Sequence, residues 1–111
     1  MALAQVSAIG PVAHYLGMLA GALGRQDEAE EHFAFAVGLA ERTGARGILV
    51  RTRLEWARLL MRRRGPGDVE RARELVAAAR DLANDLEAPD LADQASELLA
   101  SSPAASARKP T

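Results

Sequence analysis

The sequence repeats itself at a spacing of 43 residues, and this repetition limits the folds open to the chain. The segment LAERTGA at 39–45 matches LANDLEA at 82–88, and the same spacing pairs alanines at 29 and 72 and at 36 and 79. Phe33 pairs in the same way with Val76. Ahead of each segment, Leu16-Gly17 matches Trp56-Ala57 at a spacing of 40, and a longer turn at 65–67 accounts for the difference. A period of this length is typical of stacked supersecondary units.

Each unit is predicted to be a pair of antiparallel helices joined by a short turn. Aromatic residues make up only 4% of the chain and alanine is common, which favours close-packed helices over a β-sheet. Turn and capping residues place five helices at about 12–23, 27–42, 47–63, 69–86 and 90–100. Asp27, Asp68 and Asp90 are the expected N-caps. An all-α domain is thus expected over 10–100, with a break at Gly10-Pro11 after an apolar segment 1–9 and a disordered tail at 101–111.

Several of these residues stand in the spacing of a tetratricopeptide repeat: Leu16-Gly17, Gly24, Ala29, Phe33 and Ala36. The second unit departs from the motif because it has Trp56 for the leucine, Val76 for the phenylalanine and a long turn. Over about residues 10–95 the chain resembles the repeats of roughly 40 residues found in the C-terminal regions of large bacterial ATPase-type transcriptional regulators, which often carry a LuxR-type DNA-binding or a cyclase domain. The resemblance implies helical hairpins stacked in a short right-handed solenoid, which binds proteins or senses effectors and does no chemistry itself.

The composition excludes several classes of protein. There is no cysteine, which rules out a disulfide scaffold and a zinc–thiolate site and is compatible with a reducing compartment. The net charge of −1 argues against a nucleic-acid-binding protein. Residues 1–24 carry no formal charge, but they contain Gln5, Ser7, His14 and several glycines and lack the positive flank of a signal peptide. We therefore expect a cytoplasmic protein that contacts neither membrane nor nucleic acid.

No catalytic pattern is present in the sequence. It contains no phosphate-binding loop, no nucleophile elbow and no zinc-protease motif. His14 and His32 fall on different predicted helices without a third ligand, which favours structural, hydrogen-bonded histidines over a metal site. The acidic run around Glu28 and Glu30 suits the positive start of a helix better than acid–base catalysis. We therefore expect no enzyme activity and no cofactor.

A narrow polar stripe on the third predicted helix is the best candidate binding site. Arg51, Glu55, Arg58 and Arg62 fall within about 60° of a helical wheel, and Trp56 is one of the apolar residues expected in the core. A helix of this kind is contacted on several sides, as in the middle of a stacked array, and its stripe lines the inner groove. The guanidinium groups suit an acidic peptide. The alternative is that these arginines pair with acids of neighbouring helices or meet water.

The first predicted helix is apolar or small on every side, so it is expected to be covered all round. Its own hairpin and the third helix cover only part of it. Two explanations stay open: a preceding repeat or domain of a larger parent chain, or self-association as a homodimer. The dimer interface is predicted to include Ala13, Leu16, Met18 and Leu19.

The sequence therefore predicts a non-catalytic protein–protein interaction module of a cytoplasmic signalling or transcriptional regulator. Its groove would bind a protein segment or acidic peptide through the arginine stripe, with His14 and Met18 beside it. The alternative is a small-molecule effector sensor, with an apolar pocket beside His14, Tyr15 and Met18.

Overall fold

A computed structural model describes residues 2–101, and the side chains of residues 11–101. Within that range the chain forms five α-helices: α1 (Ala2–Ala22), α2 (Gln26–Thr43), α3 (Arg46–Arg63), α4 (Asp68–Asp85) and α5 (Pro89–Ala100). The predicted all-α fold with five helices is confirmed. Most of the predicted tail, residues 102–111, lies outside the described range. Among the described residues, no helix has the length and apolarity needed to cross a membrane.

The predicted break at Gly10-Pro11 is wrong, because α1 continues through both residues from Ala2. Proline inside a helix removes one hydrogen bond and its ring crowds the carbonyl four residues earlier, which costs about 3 kcal/mol, but at Pro11 it does not end the helix. Residues 2–9 therefore form the first half of α1 instead of a separate segment.

The three predicted aspartate caps are also wrong, since the N-cap positions of α2, α4 and α5 lie one or two residues before these aspartates. The N-caps are Arg25, Gly67 and Ala88, and none uses a side-chain hydrogen bond. Asp27 and Asp90 lie inside the first turns, where a carboxylate favours the positive helix end. Asp68 is the first residue of α4, and it accepts a hydrogen bond of 2.8 Å from the N–H of Gly65. The carboxylates thus mark the helix starts without capping them.

The spacing of 43 residues recurs in the packing of the helices. The paired positions of α2 and α4 are all buried: Ala29 and Ala72, Phe33 and Val76, Ala36 and Ala79, Ala40 and Ala83. Gly44 and Glu87, also 43 residues apart, both adopt positive φ, at 75° and 54°. The start of α5 follows that of α3 by the same interval. The buried positions of α2 and α4 therefore correspond at a spacing of 43 residues, and so do the starts of α3 and α5.

The third helix lies at the centre of the molecule. α3 packs against each of the other four helices, whereas α1 packs on α2 and α3. Val50, Leu54 and Leu60 join an apolar core with α4 and α5, and Leu59 joins a second core with α1 and α2. Trp56 is half-buried between the two cores. The prediction that this helix is contacted on several sides is confirmed.

Small residues set the distance between α1 and α2. A Cβ atom placed on Gly17 would lie 2.5 Å from Cε1 and 2.6 Å from Cδ1 of Phe33, which is buried. No real Cβ approaches a ring so closely, so only glycine fits this crossing without movement of the ring. Phe33 thus fills the space that Gly17 leaves open.

Candidate functional site

A groove runs along α3, and we name it the α3 groove. Its floor consists of Arg51, Glu55, Arg58 and Arg62 on α3. Tyr15 and Met18 on α1 form one wall, and Leu91, Gln94 and Leu98 on α5 form the other. Three cavities of about 220, 430 and 520 Å³ lie along it. Each two of them share a lining residue on α3, which is Arg62, Arg58 or Glu55, so the three cavities lie side by side along this helix.

The structure brings all six predicted partner-binding residues to this groove. Five of them line the cavity of about 220 Å³: His14, Met18, Arg51, Glu55 and Arg58. Arg62 lines the two other cavities. The polar stripe of α3 therefore faces a concave surface, although the placement by itself does not identify a ligand.

The charges on the floor fall into a neutral centre and two cationic ends. In the centre, Arg58 forms an ion pair with Glu55 and donates a hydrogen bond of 3.1 Å to Oε1 of Gln94. Arg51 and Arg62 are exposed, and neither forms an ion pair within residues 11–101. Arg58 thus pairs with an acid of its own helix and with Gln94 of α5, whereas the alternative that the arginines meet water stays open for the exposed Arg51 and Arg62.

His14 lies at the base of the α1 wall and is buried. A hydrogen bond of 2.9 Å joins its Nδ1 to Oγ1 of Thr52, which ties α1 to α3. Burial lowers the pKa of His14; the charge of Glu55 opposes this shift and the charge of Arg51 adds to it. His14 is thus a hydrogen-bonded structural histidine, as predicted. In the part of the chain that the structure describes, no three histidines, aspartates or glutamates cluster in a way that could hold a metal ion.

A network of ion pairs, which the sequence did not indicate, ties α2, α3 and α4 together; we name it the Arg63 cluster. Arg63 donates to Oδ2 of Asp68 at 2.8 Å and to Oε1 of Glu30 at 2.7 Å. Glu30 also accepts from Nε1 of Trp56 at 2.8 Å and from Arg71 at 2.6 Å. Arg71 in turn lies over the indole ring, 5.9 Å from its centroid. Trp56, predicted as a core residue, therefore also has a polar role.

The Arg63 cluster shifts the ionisation of its members. Hydrogen bonds from Arg63 lower the pKa of Asp68, against the opposing effect of burial. Burial raises the pKa of Glu30, but the bonds from Trp56, Arg63 and Arg71 outweigh it, so that this pKa is also lowered. Both acids are therefore charged near neutral pH, and the cluster is a structural link between the two repeats.

The side of α1 that faces away from the other helices is apolar and exposed; we name it the α1 outer face. It consists of Val12, Leu16, Leu19 and the directly following Leu23, which are 42–72% exposed. The opposite side buries small residues: Ala13, Gly17 and Ala20. Among the described side chains of α1, the small Ala13, Gly17 and Ala20 thus face inward and the larger Val12, Leu16 and Leu19 face outward.

The predicted dimer interface is only partly compatible with this orientation. Leu16 and Leu19 lie on the α1 outer face. Ala13 is only 5% exposed because it packs inside the molecule, so its assignment to an interface is wrong. Met18 lines the α3 groove and lies beside the outer face instead of within it.

Comparisons with family models, with curated proteins and with solved structures find no match to this chain. The resemblance to tetratricopeptide repeats of bacterial regulators therefore stays a prediction. The functional argument depends on the α3 groove and the α1 outer face alone.

Proposed function

We propose that this domain is a non-catalytic protein-interaction module whose α3 groove binds an acidic segment of a partner protein. The observation that carries the proposal is the exposure of Arg51 and Arg62 on the floor of a concave surface, without ion-pair partners in the described chain. Guanidinium groups bind carboxylates through two parallel hydrogen bonds, which gives geometric selectivity as well as affinity.

The walls of the groove support the same function. Tyr15 and Met18 on α1 and Leu91 on α5 offer apolar surface on both sides of the charged floor. Acidic residues of α5 are exposed at Asp90, Asp93 and Glu97, and none of them lines the three cavities. A ligand with acidic ends and an uncharged centre therefore meets matching groups along the floor.

The solenoid architecture and the class of parent protein are proposed from the resemblance of the sequence to tetratricopeptide repeats of bacterial regulators. We propose that the helical pairs are units of a right-handed solenoid and that the domain belongs to a cytoplasmic signalling or transcriptional regulator. The equivalence of α2 with α4 and of α3 with α5 supports stacking of repeated units.

A small-molecule effector is the second candidate ligand, because His14, Tyr15 and Met18 line one shared cavity. Its volume of about 220 Å³ is below the ~300–1,000 Å³ of usual ligand pockets. An effector of a few non-hydrogen atoms would fit. Such an effector should raise the melting temperature of the domain, and this rise should be lost in Tyr15→Ala.

The direct test of peptide binding uses reversal of charge on the floor. A fluorescein-labelled peptide with glutamates at both ends and leucine and alanine at its centre should bind, and the double variant Arg51→Glu/Arg62→Glu should weaken binding by about tenfold or more. Arg46→Glu is the matched control, since Arg46 is an exposed residue of α3 that lines none of the three cavities. Equal binding by the double variant and the control would refute the groove. Arg58→Glu is less suitable because it places a second carboxylate beside Glu55.

We also propose that the α1 outer face is the contact between two copies of the chain. No residue from Ala2 to Ala22 is charged, so two copies of α1 can pair without charge repulsion. Burying four side chains that are about half exposed gains on the order of 3–6 kcal/mol per copy. Association requires roughly 4–15 kcal/mol, so the dimer is expected to be weak and to form at high micromolar concentration.

A further inference from the structure

We propose that the cavity between α1 and the C-terminal half of α3 binds a small monocarboxylate with an apolar body. This inference goes beyond the proposed function, which assigns no small molecule to this cavity of about 430 Å³. Its volume lies within the ~300–1,000 Å³ of usual ligand pockets. The ligand class follows from an apolar wall and from one guanidinium group beside it.

The apolar wall of this cavity is contributed by three helices. It consists of apolar and small residues: Gly17, Met18, Gly21 and Ala22 on α1, Phe33 on α2 and Leu59 on α3. Gly17 and Phe33 line the cavity together, because the ring packs where a side chain at position 17 would lie, 2.5 Å from its Cβ. A Cβ on Gly21 would lie 3.4 Å from Cδ1 of Leu59. An apolar ligand body therefore contacts a ring and a leucine that belong to the core.

The guanidinium group of Arg62 lies directly beside this apolar wall. Its Nη2 is 3.8 Å from the position that a Cβ on Gly21 would take, and the residue lines the same cavity. Arg62 is exposed and forms no ion pair within residues 11–101. Glu55, the other charged residue of the lining, forms an ion pair with Arg58. Within the described chain, Arg62 is thus the lining residue whose charge is available to a ligand.

An available guanidinium next to apolar surface selects an anionic head group on an apolar body. Arginine binds a carboxylate through two parallel hydrogen bonds, and burial of the apolar body against the wall adds to the affinity. A cationic head group would be repelled by Arg62, and a neutral one would gain no charge-assisted hydrogen bond.

The carboxylate of Glu55 limits the charge that the ligand can carry. Glu55 lines the same cavity as Arg62, so a dianionic phosphate would meet one guanidinium and one carboxylate at once. Repulsion between like charges grows with the charge of the ligand. A monoanion is therefore favoured over a dianion, and a monocarboxylate fits this requirement.

The test compares octanoate with octanol, octylammonium and octyl phosphate, which share one tail and differ in the head group. Binding to the complete, isotope-labelled chain is measured from the NMR chemical shifts of its glycine amides. Octanoate should shift the amides of Gly17 and Gly21 saturably, and it should leave Gly44 and Gly67 unchanged because neither lines the cavity. Octanoate should bind about tenfold more tightly than octanol or octylammonium, and more tightly than octyl phosphate.

Substitutions separate the guanidinium from the apolar wall. Arg62→Gln should weaken octanoate binding about tenfold and leave octanol binding unchanged. Arg64→Gln is the matched control, since Arg64 is also exposed and lines the neighbouring cavity of about 520 Å³ but not this one. Ala22→Phe should fill the cavity and prevent binding. Ala34→Phe should retain it, because Ala34 is an exposed residue of α2 outside the lining.

Several results would overturn the inference. Octanoate that causes no saturable shift at the two glycines, binds no better than octylammonium, or binds equally to Arg62→Gln has no site of this kind. Tighter binding of octyl phosphate would overturn the monocarboxylate class. Binding that survives Ala22→Phe, or shifts that are largest at Leu16 and Leu19, would place the tail on the α1 outer face instead. None of these measurements uses the acidic peptide, so the failure of this inference and the failure of the proposed function are distinguishable.

Discussion

The crossing of α1 and α2 at Gly17 provides a quantitative test of how tightly the first hairpin is packed. Gly17 faces the ring of Phe33, and an added Cβ would lie 2.5 Å from Cε1. Gly21, one turn further along the same helix, leaves more space: its nearest neighbour would be Cδ1 of Leu59 at 3.4 Å, an ordinary van der Waals contact. The two glycines therefore form a matched pair for substitution by alanine.

The expected magnitudes differ because only one of the two sites is crowded. Alanine improves helix propensity by about 1 kcal/mol at either position. At Gly17 the added methyl must displace a buried ring, and overpacking of this kind destabilises by about 1–3 kcal/mol. Gly17→Ala should therefore be less stable than Gly21→Ala by about 1–3 kcal/mol. For a domain of this size, that corresponds to a difference in melting temperature of at least about 4 °C.

Urea unfolding measures this difference directly. The chain has a single tryptophan, Trp56, which contacts both apolar cores, so its fluorescence reports on both, and far-UV circular dichroism checks that the transition is two-state. Phe33→Leu, which removes the ring, should relieve the clash, so that Gly17→Ala becomes neutral or stabilising in that background. If Gly17→Ala proves as stable as Gly21→Ala in the native background, the close contact with Phe33 is not a feature of the folded protein.

Three further predictions concern pH, the Arg63 cluster and self-association. The pKa of His14 is lowered below its ordinary 6.5, so on acidification the unfolded state takes up a proton at this residue before the folded state does. The free energy of unfolding should therefore fall as pH drops from 6.5 towards the lowered pKa. In His14→Gln the urea midpoint should change less with pH across this window. Asp68→Asn should lower the free energy of unfolding by about 2–4 kcal/mol, since Asp68 is buried against Arg63; a loss below about 0.5 kcal/mol would contradict this. In the native chain, Asp68 should stabilise the fold fully above its ordinary pKa of 3.8. This stabilisation should be lost as the pH falls from 3.8 through the lowered pKa of the folded state. Light scattering should give a mass that rises at high micromolar concentration for the native chain and stays monomeric for Leu19→Glu. A native chain that stays monomeric would contradict self-association and favour the alternative that a preceding domain covers the α1 outer face.

The helices and the repeat were predictable because they depend on local patterns. Gly24 and Gly44 adopt the positive φ that glycine tolerates at the end of a helix, and α1 and α2 end beside them. The residues that match at a spacing of 43 are buried in both helical pairs, so burial of the same positions explains why the sequence repeats there. The four residues of the α3 stripe were predictable for the same reason, since a polar stripe on an apolar helix marks its open side.

The orientation of α1 was not predictable from hydrophobicity. Both of its sides are apolar, so a pattern of apolar and polar residues gives no preferred face. Side-chain volume distinguishes them instead: Ala13 and Gly17 are buried, whereas Leu16 and Leu19 are exposed. The error over Ala13 follows directly from this ambiguity.

The Arg63 cluster was missed because it depends on three helices at once. Arg63 is separated by 33 residues from Glu30, and Glu30 by 41 from Arg71. Acids near helix starts are explained by the helix dipole alone, so no pattern in the sequence paired them with distant arginines. Only the packing of α2 and α4 against α3 brings these side chains together.

In the proposed solenoid, the interval of 43 residues between the starts of α3 and α5 would leave the number of helical pairs unrestricted by closure of a core. The unit 46–88 begins with a helix and ends one residue before the equivalent helix, α5. A tandem duplication of this unit would place a second copy of α3 where α5 now packs on α4. Each duplication should therefore lengthen the molecule by one helical pair, add groove floor with its own arginines, and raise the urea midpoint as neighbouring units accumulate. A proposed solenoid of this kind would be extensible, and a change in gene length would then alter the reach of the protein without requiring a new core.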